Sequence, residues 1–313
     1  MASFSISDAA FSGFRIVREH PKAVPIWAGV LLVFSLANTL LMAAMAGPAL
    51  MRFQQPSQDP NQSLAAMQQL LPVYLILLPL SLAFYAVVYA AISRAVLRPG
   101  DDRFGYLRFG ADELRQFGLG FLYVLVLLGV YILLILALMI VALLMTLIFA
   151  TGGKPPAPGP VGLIMFIGFF GVLGGLIWFM VRMSLASPMT FASGRIDLFG
   201  SWSLTRGHFW PMFWTYSVAF MLLILVTLLG LAITAAFMAV AGGGMAAVGS
   251  IFRPDLSSVS AVLSPVRLIY MGGSAIFSAL ILPVSLAPPV AIYRALRSST
   301  PDEDGAPIDS VFS

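Results

Sequence analysis

The chain has no cysteine, and only 10 % of its 313 residues are charged. Without cysteine there can be no disulfides, no thiolate nucleophile and no zinc–thiolate centre. The shortage of charge is more telling. Soluble domains carry about 25 % charged residues and about 45–50 % apolar ones, whereas here 60 % of residues are apolar. So few charges cannot solvate so apolar a surface. A cytosolic globular enzyme, a nucleic-acid-binding domain and a disordered chain are all excluded, and the bilayer is left as the solvent.

Acids are missing from the apolar stretches altogether. All 13 Asp and Glu lie outside the runs long enough to cross a membrane. Ion- and proton-coupled transporters hold their ion or proton on an intramembrane ionisable group, so a carboxylate-driven carrier is disfavoured. Catalytic patterns are lacking too: there is no HExxH, no GxSxG and no Gly-rich phosphate loop with a lysine. The two histidines, His20 and His208, stand beside Pro21 and Trp210-Pro211 at membrane entries, where they read as interfacial anchors. No enzyme, cofactor or metal is expected.

What is present is a series of uncharged runs. A spanning helix needs roughly 20 apolar residues, and six runs meet that length. They place helices near 25–46, 72–93, 119–148, 161–181, 211–240 and 268–292 of an all-α bundle forming a single transmembrane domain over 1–297. The third, at about 1.5 Å per residue, is longer than a ~30 Å hydrocarbon core and must tilt or project. Thirteen Lys and Arg fall on the side of the two termini and four on the other, which puts both termini in the cytoplasm. Residues 1–46 also imitate a secretory signal ending in Ala44-Met45-Ala46. The long charged lead-in argues for retention and six spans. The acidic tail 298–313 reads as disordered.

Three segments before odd-numbered spans have helical apolar stripes: Ile6, Ala10, Phe14 and Val17 with Ser7 as N-cap; Leu107, Ala111, Leu114 and Phe117; Leu198, Trp202, Thr205 and Phe209. Each is expected to lie flat on the cytoplasmic surface, giving three units of about 100 residues made of an interfacial helix and a hairpin.

The candidate site residues follow from this layout. Arg182, after Trp178-Phe179-Met180-Val181, is placed to pair bidentately with a lipid phosphate, against the plainer reading of a snorkelling arginine. Arg94, Arg108, Arg115 and Arg294 are the other candidate headgroup ligands, although topology setting alone explains them as well. Asn38 with Ser35 and Thr39 makes a polar spot inside the first span, read first as an interhelical hydrogen bond and otherwise as the lining of a pathway. Pro79 and Pro283, with Pro288 and Pro289, are expected to break the second and sixth, the freed carbonyls facing a cavity in one reading and a ligand-free kink being the plainer one. Gly171 and Gly175 form a GxxxG suited to close helix packing within or between chains.

Two blocks carry a resemblance: Tyr106-Leu107-Arg108-Phe109-Gly110-Ala111-Asp112-Glu113-Leu114-Arg115, and Gly200-Ser201-Trp202-Ser203-Leu204-Thr205-Arg206-Gly207-His208-Phe209-Trp210. With the hairpin layout they make the chain resemble uncharacterised six-span bacterial inner-membrane proteins similar to the membrane domain of glycerophosphoryl diester phosphodiesterases, without the catalytic domain. The resemblance implies an inner-membrane location and no transferable catalytic residue. The expectation is a protein that binds or handles membrane lipid in envelope processes. The alternatives are a neutral-solute channel or transporter, and a structural or assembly subunit with protein partners or as a homo-oligomer.

Overall fold

The structure, a computed structural model, describes residues 4–54, 60–150, 158–241, 244–252 and 254–298. It is 86 % helical, with no strand among the described residues. In chain order the helices are α1 (Ile6–Ala10), α2 (Ser12–Glu19), α3 (Ala23–Gln54), α4 (Pro60–Leu97), α5 (Ala111–Ala150), α6 (Pro158–Met183), α7 (Ala186–Ser193), α8 (Gly200–Leu204), α9 (Phe209–Ala241), α10 (Met245–Phe252), α11 (Val259–Val262) and α12 (Pro265–Ser298). Six of them, α3, α4, α5, α6, α9 and α12, are long and apolar enough to cross a membrane. The chain is a multi-pass membrane protein. Helix is the outcome physics requires here, because a span in hydrocarbon must satisfy every backbone group within itself.

Each observed span contains its expected core and extends beyond it. Proline does not end the helices: α4 runs through Pro72 and Pro79, and α12 through Pro283, Pro288 and Pro289. The expected breaks are absent. Pro79 is exposed on the outside of the bundle, and Pro283 is buried under α2. The triple-glycine stop after α9 and the tail beyond Ser298 fall largely or wholly outside the described residues.

The core is concentrated at the end of the bundle that carries both termini. There Trp27 of α3, Val88 and Ile92 of α4, Tyr106, and Ala279 and Ala287 of α12 pack with Ile16 of α2. A second cluster joins Ala9, Leu185, Met212, Ile292 and Leu296. Small residues let these helices approach closely. At the far end α3 and α4 are held by Ala46, Ala49, Leu70, Val73 and Leu77. Beyond their roots α5 and α6 present most side chains outward, as helices facing lipid do (Leu133, Met139 and Phe169 among them).

The expected flat pre-span helices are revised in all three cases. The first breaks at Phe11 into α1 and α2, is capped by Ser5, whose Oγ accepts from Asp8 N–H at 3.3 Å, and buries Ala9, Ala10, Ser12, Gly13 and Ile16 against the bundle, leaving Ile6 outside. The second is no separate helix. It is the first two turns of α5, and it is turned the other way: Glu113 and Gln116 are buried while Leu114 is 70 % exposed. The third is not one helix either: only Gly200–Leu204 is helical before the span, Leu198 precedes it and Phe209 opens α9, with Leu198 and Thr205 buried and Trp202 and Phe209 half-buried.

Candidate functional site

The reversed face of α5 has a specific cause. Arg94, near the end of α4, is almost wholly buried, and its Nη2 donates to Glu113 Oε1 at 2.7 Å, with Asp112 at 3.7 Å and Asp101 at 4.0 Å from its nitrogens. Burying a guanidinium is tolerable only with such partners. Around it Arg98 and Arg115 pair with Asp112 at 3.5 and 2.9 Å, and Arg108 pairs with Asp101. Arg94 and Arg98 also lie over the ring of Phe191 in α7, 5.5 and 4.9 Å from its centroid. The cluster locks α4, α5 and α7 together.

The same cluster fixes a strained turn. Phe104, Gly105 and Tyr106 all have left-handed φ, at 50°, 63° and 67°. Glycine adopts this freely, whereas the two aromatic residues do so at a cost. Three hydrogen bonds hold them: Trp27 Nε1 donates to Gly105 O at 2.7 Å, Arg94 Nη1 to Tyr106 O at 2.5 Å, and the Tyr106 hydroxyl to Pro99 O at 3.0 Å. The Tyr106 hydroxyl also lies 3.1 Å from His20 Nδ1. The first resemblance-bearing block is thus structural: its acids, arginines and tyrosine knot the ends of three helices.

Just below this knot, a groove of about 430 Å³ lies between α4, α5, α6, α7 and α12, within the size range of small-molecule pockets. Leu82, Leu119, Val124, Leu127, Phe179 and Met183 make it mainly apolar. Its polar groups gather towards the knot. Gln116 and Ser187 are bonded reciprocally, Nε2 to the Ser187 carbonyl at 2.8 Å and Ser187 Oγ to Gln116 Oε1 at 2.9 Å. The Tyr123 hydroxyl donates to Met183 O, and Ser184 Oγ accepts at 2.7 Å from the hydroxyl of Tyr216, which stands behind the groove on α9. Tyr85 and Tyr89, one turn apart on α4, line the groove, and their hydroxyls have no hydrogen-bond partner among the described residues. Tyr85, Leu127 and Met180 are exposed on the outside of the bundle as well, so the groove opens sideways between spans.

A second cavity, about 710 Å³, opens at the end that carries the termini, between α1–α2 and the last turns of α4 and α12. Arg15, paired loosely with Asp8 at 3.9 Å, faces Arg294 and Glu19 across mixed charge.

These arrangements redistribute the expected site residues. Arg94 is withdrawn as a headgroup ligand because its guanidinium is buried and spent on Glu113. Arg108 and Arg115 are half-exposed but ion-paired. Arg182 is half-buried against α8: its Nη1 donates to Trp202 O at 3.3 Å and Thr205 Oγ1 at 3.4 Å, its Nε is buried without a partner, and Trp178 and Trp202 flank it at 5.6 and 5.8 Å. It fastens α8 to α6 and is not part of the groove. Of these candidates Arg294 is the exposed one with no acid partner among the described residues, and it donates to Val96 O at 3.2 Å. Asn38 is half-buried with an unpartnered Oδ1, yet it does not join Pro79 and Pro283, and neither cavity includes any of the three. The polar spot is local to α3, where Thr39 bonds back to Ser35 O at 2.7 Å.

The groove's tyrosines, Gln116, Ser184 and Ser187 were not among the expected site residues. The available signal was the Tyr85–Tyr89 pair at helical spacing in an otherwise apolar span. No protein-family model matches the chain, and no curated protein or solved structure matches it either.

Proposed function

We propose that this protein is a non-enzymatic, lipid-binding component of the bacterial inner membrane, with both termini in the cytoplasm, and that the sideways-opening groove holds the lipid. The observation that carries this reading is the groove's position and gradient. It lies among helices long and apolar enough to cross a membrane, it opens sideways between them, and it passes from an apolar wall to hydroxyls and an amide near the arginine-rich end. A bilayer lipid presents the same gradient along its length. The resemblance to membrane domains of glycerophosphoryl diester phosphodiesterases belongs to the same proposal, as does a role in envelope processes.

The test is lipid retention on gentle extraction, read by native mass spectrometry. Gly120 lines the groove, and a Cβ placed there meets only the tip of Leu82, at 3.4 Å. Gly120→Phe therefore puts a large side chain on the groove wall with its Cβ clear of the backbone of other elements. Stoichiometric lipid in the parent and at least a tenfold loss in Gly120→Phe is expected. Equal retention in both would refute the reading.

Assembly through α6 is a second reading with its own support. At Gly168, Gly171, Gly174 and Gly175 an added Cβ would meet nothing within 4 Å, so this small-residue stripe is open to a partner helix. Because the chain has no cysteine, Gly171→Cys gives a clean crosslinking probe. A dimer formed on oxidation in native membranes is expected if copies meet there, and its absence would remove self-association through this stripe.

A further inference from the structure

Resting on the groove as a lipid site, we infer that its occupant is an uncharged lipid bearing carbonyl acceptors (a diacylglycerol ester or a tailed quinone ring) and not an anionic phospholipid. Among the described residues that line the groove, none is Asp, Glu, Lys, Arg or His. A phosphate placed there would lose its hydration with no cation to replace it, which is prohibitive in a low-dielectric site. The arginines just beyond the polar end do not line the groove: Arg94 is bound to Glu113, and Arg98 and Arg115 are drawn onto Asp112. Arg182 is turned onto α8.

The polar chemistry that remains sets the partner. Gln116, Ser187, Ser184, Tyr123 and Tyr216 already hydrogen-bond to one another or to backbone. The hydroxyls of Tyr85 and Tyr89 have no hydrogen-bond partner among the described residues. A phenol in an apolar groove is chiefly a donor seeking an acceptor. Two such donors one helical turn apart suit a molecule carrying two carbonyl oxygens a few ångströms from each other. Both an ester-linked glyceride and a benzoquinone carry such a pair.

The test uses the full-length protein in detergent, titrated separately with dioleoylglycerol, an isoprenoid-tailed benzoquinone and dioleoylphosphatidylglycerol, with bound lipid counted by native mass spectrometry. Binding of dioleoylglycerol or the quinone is expected, the one that binds identifying the source of the carbonyls. Tyr89→Phe is expected to weaken it about three- to tenfold, the ordinary worth of one neutral hydrogen bond, and Gly120→Phe to abolish it. Phosphatidylglycerol is expected to bind only at the surface, indifferent to both changes. Leu127→Trp serves as a second filling variant should Gly120→Phe fail to fold. Phosphatidylglycerol binding that disappears on filling, with neither uncharged lipid bound, overturns this inference and leaves the groove a lipid site. Uncharged-lipid binding indifferent to both Tyr85→Phe and Tyr89→Phe overturns the carbonyl assignment. No response of any lipid to filling overturns the groove as a site altogether.

Discussion

Arg94→Met is expected to destabilise the protein by about 3–5 kcal/mol, the cost of leaving a buried charge uncompensated. The orphan is Glu113, itself 6 % exposed, whose carboxylate is 2.7 Å from the guanidinium that the substitution removes. The Tyr106 carbonyl loses its donor at the same time, so the strained turn loosens. Thermal unfolding in detergent measures the effect. The double variant Arg94→Met, Glu113→Leu is expected to recover most of the loss, because the uncompensated charge goes with the second change. Arg98→Ala is the contrast. Its side chain is 39 % exposed and it shares Asp112 with Arg115, so the loss should stay within about 1 kcal/mol. Equal effects of Arg94→Met and Arg98→Ala would show that the network is not the buried lock described here.

This cluster also marks how far the sequence could be read. The six spans were legible because absence of charge is a property of each segment by itself, and a continuous apolar run of that length in hydrocarbon satisfies its own backbone only as a helix. The orientation of the first turns of α5 was not. Over 107–117 the apolar stripe points one way, but Arg94, nineteen residues before Glu113, draws the acid inward and turns Leu114 out. A pairing across two helices leaves no periodic trace in either. The arginines suffered the same ambiguity: a cation at a membrane entry reads as a headgroup ligand until the acid that occupies it is located. The groove was harder still. Its polar residues are scattered over α4, α5, α7 and the turn between α6 and α7, one or two to each, and only their assembly makes a gradient. Pro283 shows the reverse error. Its residue type announced a break, but the helix continues and the residue serves packing.

What Pro283 packs against yields the second large effect. α2 crosses α12 with Gly13 directly on the Pro283–Val284 backbone; a Cβ at position 13 would lie 2.3 Å from Val284 Cα and 2.4 Å from Pro283 O. No rotamer change relieves a clash with main chain, so Gly13→Ala must lift α2 away. Overpacking of this kind costs typically about 1–3 kcal/mol, and here the burial of Ala9, Ala10 and Ile16 is forfeited with it. Gly29→Ala is the control, since nothing lies within 4 Å of its added Cβ and alanine is the better helix former. The readout is maleimide labelling of Ser12→Cys, a position 7 % exposed in a chain with no other thiol. Labelling is expected to be slow alone and with Gly29→Ala, and fast with Gly13→Ala. Continued protection in Gly13→Ala would mean that α2 does not ride on α12. Fast labelling would mean that a single missing side chain lets two short amphipathic helices close one wall of the cleft beside Arg294, a wall that the apolar stripe of α2 alone would have laid against the membrane.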